Sequence, residues 1–209
     1  MIPPRSRFWA ALGVLLIVWL ACWALGGRDF GPDLDLYRAL YVEGDSQLGR
    51  NAVVFTRIGN GLVLSILALL AAGYLVMRRK RRAALLLIMV FGGRFLVELQ
   101  KLIIDRPRPG VSPHLVAVDT YSFPSGHAAN AMITYLAIAV LLPVKQRNRA
   151  IAVGIGLALV LQVGISRVML GVHWPTDVIG GWAFGLLWII ICMRLASARP
   201  DLEPATALR

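Results

Sequence analysis

Six apolar stretches decide what this chain can become: residues 8–26, 53–77, 83–104, 126–143, 150–170 and 176–195. About 20 consecutive apolar residues suffice for a helix to cross a bilayer, and several of these runs approach or exceed that length. The pattern predicts an all-α protein, a six-span transmembrane helix bundle, organised as one integral membrane domain over residues 1–209. Composition agrees, since 58% of the residues are hydrophobic where a soluble domain is nearer half.

The net charge of +11 would suggest nucleic acid on a soluble protein. Here the cations fall in short clusters between apolar runs, and no basic stripe is interleaved with aromatics, so no nucleic-acid partner is expected. The N-terminal arm, residues 78–82 (RRKRR), residues 145–149 (KQRNR) and the C-terminal end carry 13 of the 22 Lys and Arg, against 6 in residues 28–57 and 105–124. The positive-inside rule then puts both termini in the cytoplasm and the polar motifs described below on the periplasmic or extracellular side of an inner membrane. The first apolar run is long for a signal peptide and lacks a clean cleavage site, so an uncleaved span is expected. Cys22 and Cys192 lie inside apolar runs and read as inert thiols.

Between the first two runs, residues 28–50 hold five acids. The segment DLYRALYV within them reads either as a short amphipathic helix on the bilayer surface or as a solvated loop. The polar, Pro-containing tail, residues 198–209, is expected to be disordered.

Charges inside hydrocarbon are expensive and usually have a task. Three segments bring them to one face. In KLIIDRPRP, residues 101–109, Lys101 sits about one turn from a helix end that Pro107 and Pro109 terminate, and Arg108 follows in an extended stretch. These cations read either as snorkelling side chains or as ligands for a phosphate. In FPSGHAA, Ser125 suits a helix N-cap, Gly126 allows close approach to the backbone, and the first free amides favour an anion. His127 beside them is either structural or a proton donor and acceptor. In SRVMLGVHWPTD, residues 166–177, Pro175 suits the first helical position and Asp177 its first turn. The spacing lets Asp177 reach the ring of His173, fixing one tautomer. Ser166 reads as orienting Arg167 or as helping to bind an anion. An interhelical polar clamp is the alternative for this segment.

Together these supply three cations, a helix N-terminus, two histidines and a carboxylate. His173 and Asp177 are the only metal-like pair, and the surrounding cations favour an anion over a metal. Lys, Arg and backbone amides stabilise a transferring phosphoryl group, while one histidine attacks phosphorus and another protonates the leaving oxygen. The residues alone leave open which histidine attacks.

The chain resembles the type-2 phosphatidic acid phosphatase superfamily, which includes membrane lipid phosphatases and soluble vanadium haloperoxidases. Its three-part signature appears as Lys101, six residues, Arg108-Pro109; then residues 124–127, PSGH; then Ser166-Arg167, five residues, His173, three residues, Asp177. The resemblance implies that His173 is the nucleophile, oriented by Asp177, and that His127 is the general acid. It implies a phosphate cradle of Lys101, Arg108, Ser125, Gly126 and Arg167, with no metal and no cofactor. The expected partners are a membrane lipid phosphate as substrate and the bilayer itself.

Outside the signature, Arg94, Glu98 and Lys101 share a helix face. Arg94 and Glu98 read as an ion pair inside the bundle, with a role in holding Lys101 in place as the rival. His114 reads as a solvated loop residue or a substrate contact. Trp174 and Trp182 suit either the membrane interface or the substrate. The leading function is a lipid phosphatase acting on a polyprenyl pyrophosphate, phosphatidylglycerol phosphate, phosphatidic acid or a lipid A phosphate, with the first two favoured by the compact chain. A lipid phosphotransferase would use the same residues, and a non-catalytic transporter or scaffold is the alternative from another class.

Overall fold

The computed structural model describes residues 5–27, 29–78, 80–143 and 145–197; the tail expected to be disordered lies outside them, as does Arg28. The described secondary structure is helical throughout, as expected. In chain order it comprises α1 (Arg5–Leu25), α2 (Gly31–Leu40), α3 (Gln47–Ile58), α4 (Gly61–Arg78) and α5 (Lys80–Leu87). A π-helical turn over Ile88–Gly92 joins α5 to α6 (Gly93–Ile104), followed by α7 (Gly126–Leu141), α8 (Gln146–Met169) and α9 (Pro175–Ser197).

Five helical segments are long and apolar enough to cross a membrane: Ser6–Leu25, Gly61–Arg78, Arg81–Ile104, Gln146–Met169 and Pro175–Ser197. The sixth expected span corresponds to α7, whose 16 residues reach about 24 Å at 1.5 Å per residue, short of the roughly 30 Å of a hydrocarbon core. α7 is the buried middle of the bundle, packed against α4, α6, α8 and α9. Its small residues Ala128, Ala129, Ala131 and Ala137 are almost wholly enclosed. Small residues let membrane helices approach closely. On α9, a β-carbon at Gly181 would lie 2.9 Å from the carbonyl oxygen of Ser125, and one at Gly185 3.0 Å from that of Ala129. No side chain fits there, so glycine sets the α7–α9 distance.

The expected span 53–77 starts too early. α3 ends at Ile58, Gly59 caps it, and the Asn60 side chain accepts the Leu62 N–H at 2.8 Å to start a new helix. Both clusters taken as connections, residues 78–82 and 145–149, run largely into helix, since α5 begins at Lys80 and α8 at Gln146. Lys, Arg and Gln are good helix formers whose long stems can lie along apolar surface. In the acidic segment the helical reading holds, as α2. Its partner is protein, however: Tyr37 is fully buried, with its ring 5.5 Å from that of Trp174.

The C-terminal ends of α6 and α8 and the N-terminal ends of α7 and α9 meet at one end of the bundle. At the opposite end an apolar cluster built on Ala68, Leu75, Leu86, Met89, Ile133 and Ala137 packs α4, α5 and α7 together.

Candidate active site

α6 stops at Asp105, which takes the left-handed conformation (φ 53°) and donates its N–H to the Lys101 carbonyl. Residues 105–125 then run without helix to the start of α7. Arg108 turns towards Lys101. Its Nε donates to the Thr120 carbonyl at 2.7 Å, and a terminal nitrogen reaches Thr120 Oγ1 at 3.3 Å. Lys101 Nζ donates to the same Thr120 Oγ1 at 3.1 Å and to the Tyr121 carbonyl at 2.7 Å. Two cations from separate parts of the motif therefore meet on residues 120–121. Lys101 is 4% exposed, which removes simple snorkelling to the surface as its explanation.

Arg108 also donates to the Val172 carbonyl at 2.6 Å and lies 3.2 Å from His173 Nε2. An arginine can only donate, so Nε2 is the acceptor and the proton of the neutral ring resides on Nδ1. That nitrogen faces Asp177 Oδ2 at 3.4 Å and Ser122 Oγ at 3.4 Å. His173 is 1% exposed. Burial first, then the nearby charges of Arg108, Arg167 and Lys101, hold its pKa well below 6.5.

Asp177 is enclosed completely. Its Oδ2 accepts the Trp174 N–H at 2.8 Å and the Ser122 hydroxyl, while Oδ1 pairs with Arg106 at 2.8 Å. Arg167, in the last turn of α8, donates to Thr56 Oγ1 of α3 at 2.7 Å. Its Nε is buried without a partner, an uncommon condition for so strong a donor. Ser125 caps α7 by accepting the Ala128 N–H at 3.5 Å, so its oxygen is engaged by the helix. A β-carbon at Gly126 would meet Lys101 Cε at 3.5 Å, an ordinary contact. The protein itself therefore does not demand glycine there. His127 follows in the first turn of α7, half-buried, with its ring beside Gly59 at the end of α3.

All eight candidate site residues thus belong to one end of the bundle. Several companions fall elsewhere. Arg94 does not pair with Glu98; it donates to the Gly61 carbonyl at 3.2 Å and Ser65 Oγ at 3.3 Å of α4, three atoms of its guanidinium lying against the bare Cα of Gly61. Ser166 donates to the Val163 carbonyl of its own helix at 2.7 Å. His114 is exposed and ties to the Pro109 carbonyl at 2.7 Å. Trp174 is buried with its Nε1 on the Pro107 carbonyl, and Trp182 packs against Gly164 inside the bundle. Neither tryptophan marks a membrane interface.

Arg106, Ser122, Thr56 and Asp33 were not anticipated. Arg106 had a readable signal, the doubled Arg-Pro of DRPRP; the others had none. Among the described residues no group of three or more His, Cys, Asp or Glu gathers into a metal-binding set. The assembled chemistry is an imidazole whose unprotonated nitrogen accepts from Arg108, a carboxylate behind it, and guanidinium and ammonium groups in front.

A family model described as the PAP2 superfamily matches residues 82–201. The chain is 39% identical over 138 residues to phosphatidylglycerophosphatase B of Bacillus subtilis, covering 63% of this chain and 67% of that one. It is 27% identical over 204 residues, 94% of each chain, to an undecaprenyl-diphosphatase of Sulfolobus acidocaldarius. Among solved structures, a transmembrane PAP2-type phosphatidylglycerolphosphate phosphatase from Bacillus subtilis superposes with a TM-score of 0.83 at 28% identity, over 92% of this chain and 99% of the other.

Proposed function

This chain belongs to the PAP2 superfamily and is a multi-pass membrane lipid phosphate phosphatase; from that premise we propose that it cleaves a lipid pyrophosphate or phosphate through a phosphohistidine on His173, at the outer face of an inner membrane. In this reading α7 is the sixth crossing, and both termini are cytoplasmic.

The observation that carries the proposal is the meeting of Lys101 and Arg108 on residues 120–121, directly against Nε2 of His173. A phosphate drawn to these cations takes Arg108 onto its oxygens and frees the Nε2 lone pair. That lone pair attacks phosphorus, and the bond to the leaving oxygen breaks. His127 donates its proton to that oxygen, which departs as a lipid alcohol or, from a pyrophosphate, as a lipid phosphate. The His173 ring, now carrying phosphorus on Nε2 and a proton on Nδ1, is cationic and faces Asp177. Water then attacks the phosphohistidine as His127 accepts its proton, and inorganic phosphate leaves. Lys101, Arg108, Arg167 and the α7 amide end, with Ser125 and Gly126, stabilise the equatorial oxygens in both steps. The unpartnered Arg167 Nε supports this cradle, because a phosphate oxygen would satisfy it.

The relatives' names span phosphatidylglycerol phosphate, undecaprenyl pyrophosphate and lipid A phosphate chemistry, which supports these three classes as substrates ahead of phosphatidic acid. The test is phosphate release in detergent with EDTA from farnesyl diphosphate, phosphatidylglycerol phosphate and dioctanoyl phosphatidic acid. Release that survives EDTA and disappears in His173→Ala is expected. Undiminished release by the variant removes His173 as nucleophile, and loss of wild-type release in EDTA removes the metal-free mechanism. Phosphate recovered on an acceptor lipid rather than in solution would make the enzyme a phosphotransferase.

A further inference from the structure

Arg106 is a buried cation at this end of the bundle that the phosphatase motif does not use. It stands two residues before Arg108, yet the pair face different ways. Arg108 lies on the His173 side, while Arg106 is 8% exposed behind Asp177. One of its terminal nitrogens donates to Asp177 Oδ1 at 2.8 Å and to Thr176 Oγ1 at 3.2 Å. The other donates to the carbonyls of Cys22 and Trp23, both at 2.6 Å. Those carbonyls belong to the last turn of α1; that of Cys22 also accepts the Gly26 N–H at 3.3 Å, whereas the Gly27 N–H that would serve Trp23 is turned to Asp33. The guanidinium also stacks 4.4 Å over the ring of Phe123.

These contacts divide the labour of one carboxylate. Oδ1 is occupied by Arg106. Oδ2 is left for Ser122, the Trp174 N–H and the Nδ1 of His173. A buried carboxylate without its counter-charge would be strongly disfavoured, and with Oδ1 unpaired it would be free to rotate away from the imidazole. A second buried carboxylate secures the same corner: Asp33 of α2 accepts the Thr176 N–H at 2.9 Å, the Thr176 hydroxyl at 2.6 Å and the Gly27 N–H at 2.7 Å. The first turn of α9, which carries Asp177, is therefore tied to α1 and α2. Both of these helices lie outside the residues 82–201 matched by the family model.

We propose that Arg106, anchored on the end of α1, is a positioning residue of this phosphatase: it fixes Asp177 so that a single carboxylate oxygen faces His173, which makes α1 part of the catalytic apparatus. The inference rests on His173 being the nucleophile and Asp177 its orienting group. Arg106 touches no substrate. Its loss therefore slows the chemical step and leaves phosphate binding intact, because Lys101, Arg108 and Arg167 remain.

The experiment measures kcat and KM for the full-length protein in detergent, with whichever of the three lipid phosphates above is cleaved fastest. The variants are Arg106→Gln, Arg106→Lys and His173→Ala. Arg106→Gln is expected to lower kcat by about 30- to 100-fold with KM within about threefold of wild type, the signature of a group acting only on the transition state. Arg106→Lys is expected to fall between Gln and wild type in kcat. Its ammonium can reach Asp177 but cannot fork onto the two α1 carbonyls. Wild-type kcat in Arg106→Gln overturns the proposal, as does a rise in KM that matches the loss in kcat/KM. Should Arg106→Gln not yield folded protein, Arg106→Lys decides: reduced kcat at unchanged KM supports the role, and wild-type kcat refutes it. Release that persists in His173→Ala would instead defeat the phosphohistidine reading, a separate result from any outcome at Arg106.

Discussion

The two ends of the bundle are built on opposite principles. At the far end Ala68, Ala72, Leu75, Leu86 and Met89 fill the space between α4, α5 and α7 with apolar atoms. At the near end the enclosed side chains include Lys101, Arg106, Arg167, His173, Asp177 and Asp33. Packing at the far end needs only shape, and in a bilayer close van der Waals contact is what associates helices. At the near end each group must find partners in a particular direction, because an unpaired buried charge is far costlier than a void. The far end can therefore tolerate substitution by volume, whereas the near end is sensitive to single atoms.

The largest expected effect lies at the near end. His173→Ala should reduce phosphate release by roughly four orders of magnitude or more, with the melting midpoint little altered. A residual rate within tenfold of wild type would mean that the near end is a structural clamp. Next comes the cradle. Arg108→Gln should raise KM by about 10- to 100-fold, the worth of charge-assisted hydrogen bonds. A pure kcat effect would place Arg108 with Arg106 rather than with Lys101.

The far end should answer in stability alone. Leu86→Ala removes a fully buried side chain and should cost about 2 kcal/mol or more, read as a lower melting midpoint in detergent with kcat within twofold. A large loss of kcat would show that the two ends are mechanically coupled. The near end also has a pH signature. Because burial and neighbouring cations depress the pKa of His173, the free protein should keep that ring neutral as pH falls through 6.5. NMR of the labelled imidazole checks this, and titration at the ordinary histidine position would contradict the enclosed geometry. The smallest effect is expected at His114→Ala, with kcat/KM within about twofold, since that ring is exposed and only braces the loop.

The sequence made some of this plain and hid the rest for identifiable reasons. Membrane-crossing helices were legible because hydrocarbon demands long apolar runs. The break between α3 and α4 was masked by the same reasoning, since Ile58-Gly59-Asn60 interrupts an apolar trend with two turn residues too few to lower it. Lys101, Arg108, His173 and Asp177 could be grouped because their spacing is a pattern. Arg106 showed only as a doubled Arg-Pro, and its direction could not be read, because alternation in an extended segment would put it on the same side as Arg108 two residues on. Arg94 and Glu98 share a helix face, yet Arg94 turned to α4, because a glycine there left room for its guanidinium. Tertiary neighbours made that choice, and helical spacing carries no record of them.

The π-helical turn at Ile88–Gly92 separates two timings on one continuous span. The extra residue it takes up advances everything after it by one position, roughly 100° around the axis. Upstream, α5 keeps step with the packing of Leu86 and Ala83; downstream, α6 keeps step with Lys101, while Leu102 beside it is 72% exposed. In an unbroken α-helix of the same sequence Lys101 would stand where Leu102 now does. The turn is thus a phase correction, letting one helix serve two ends that were never in register with each other.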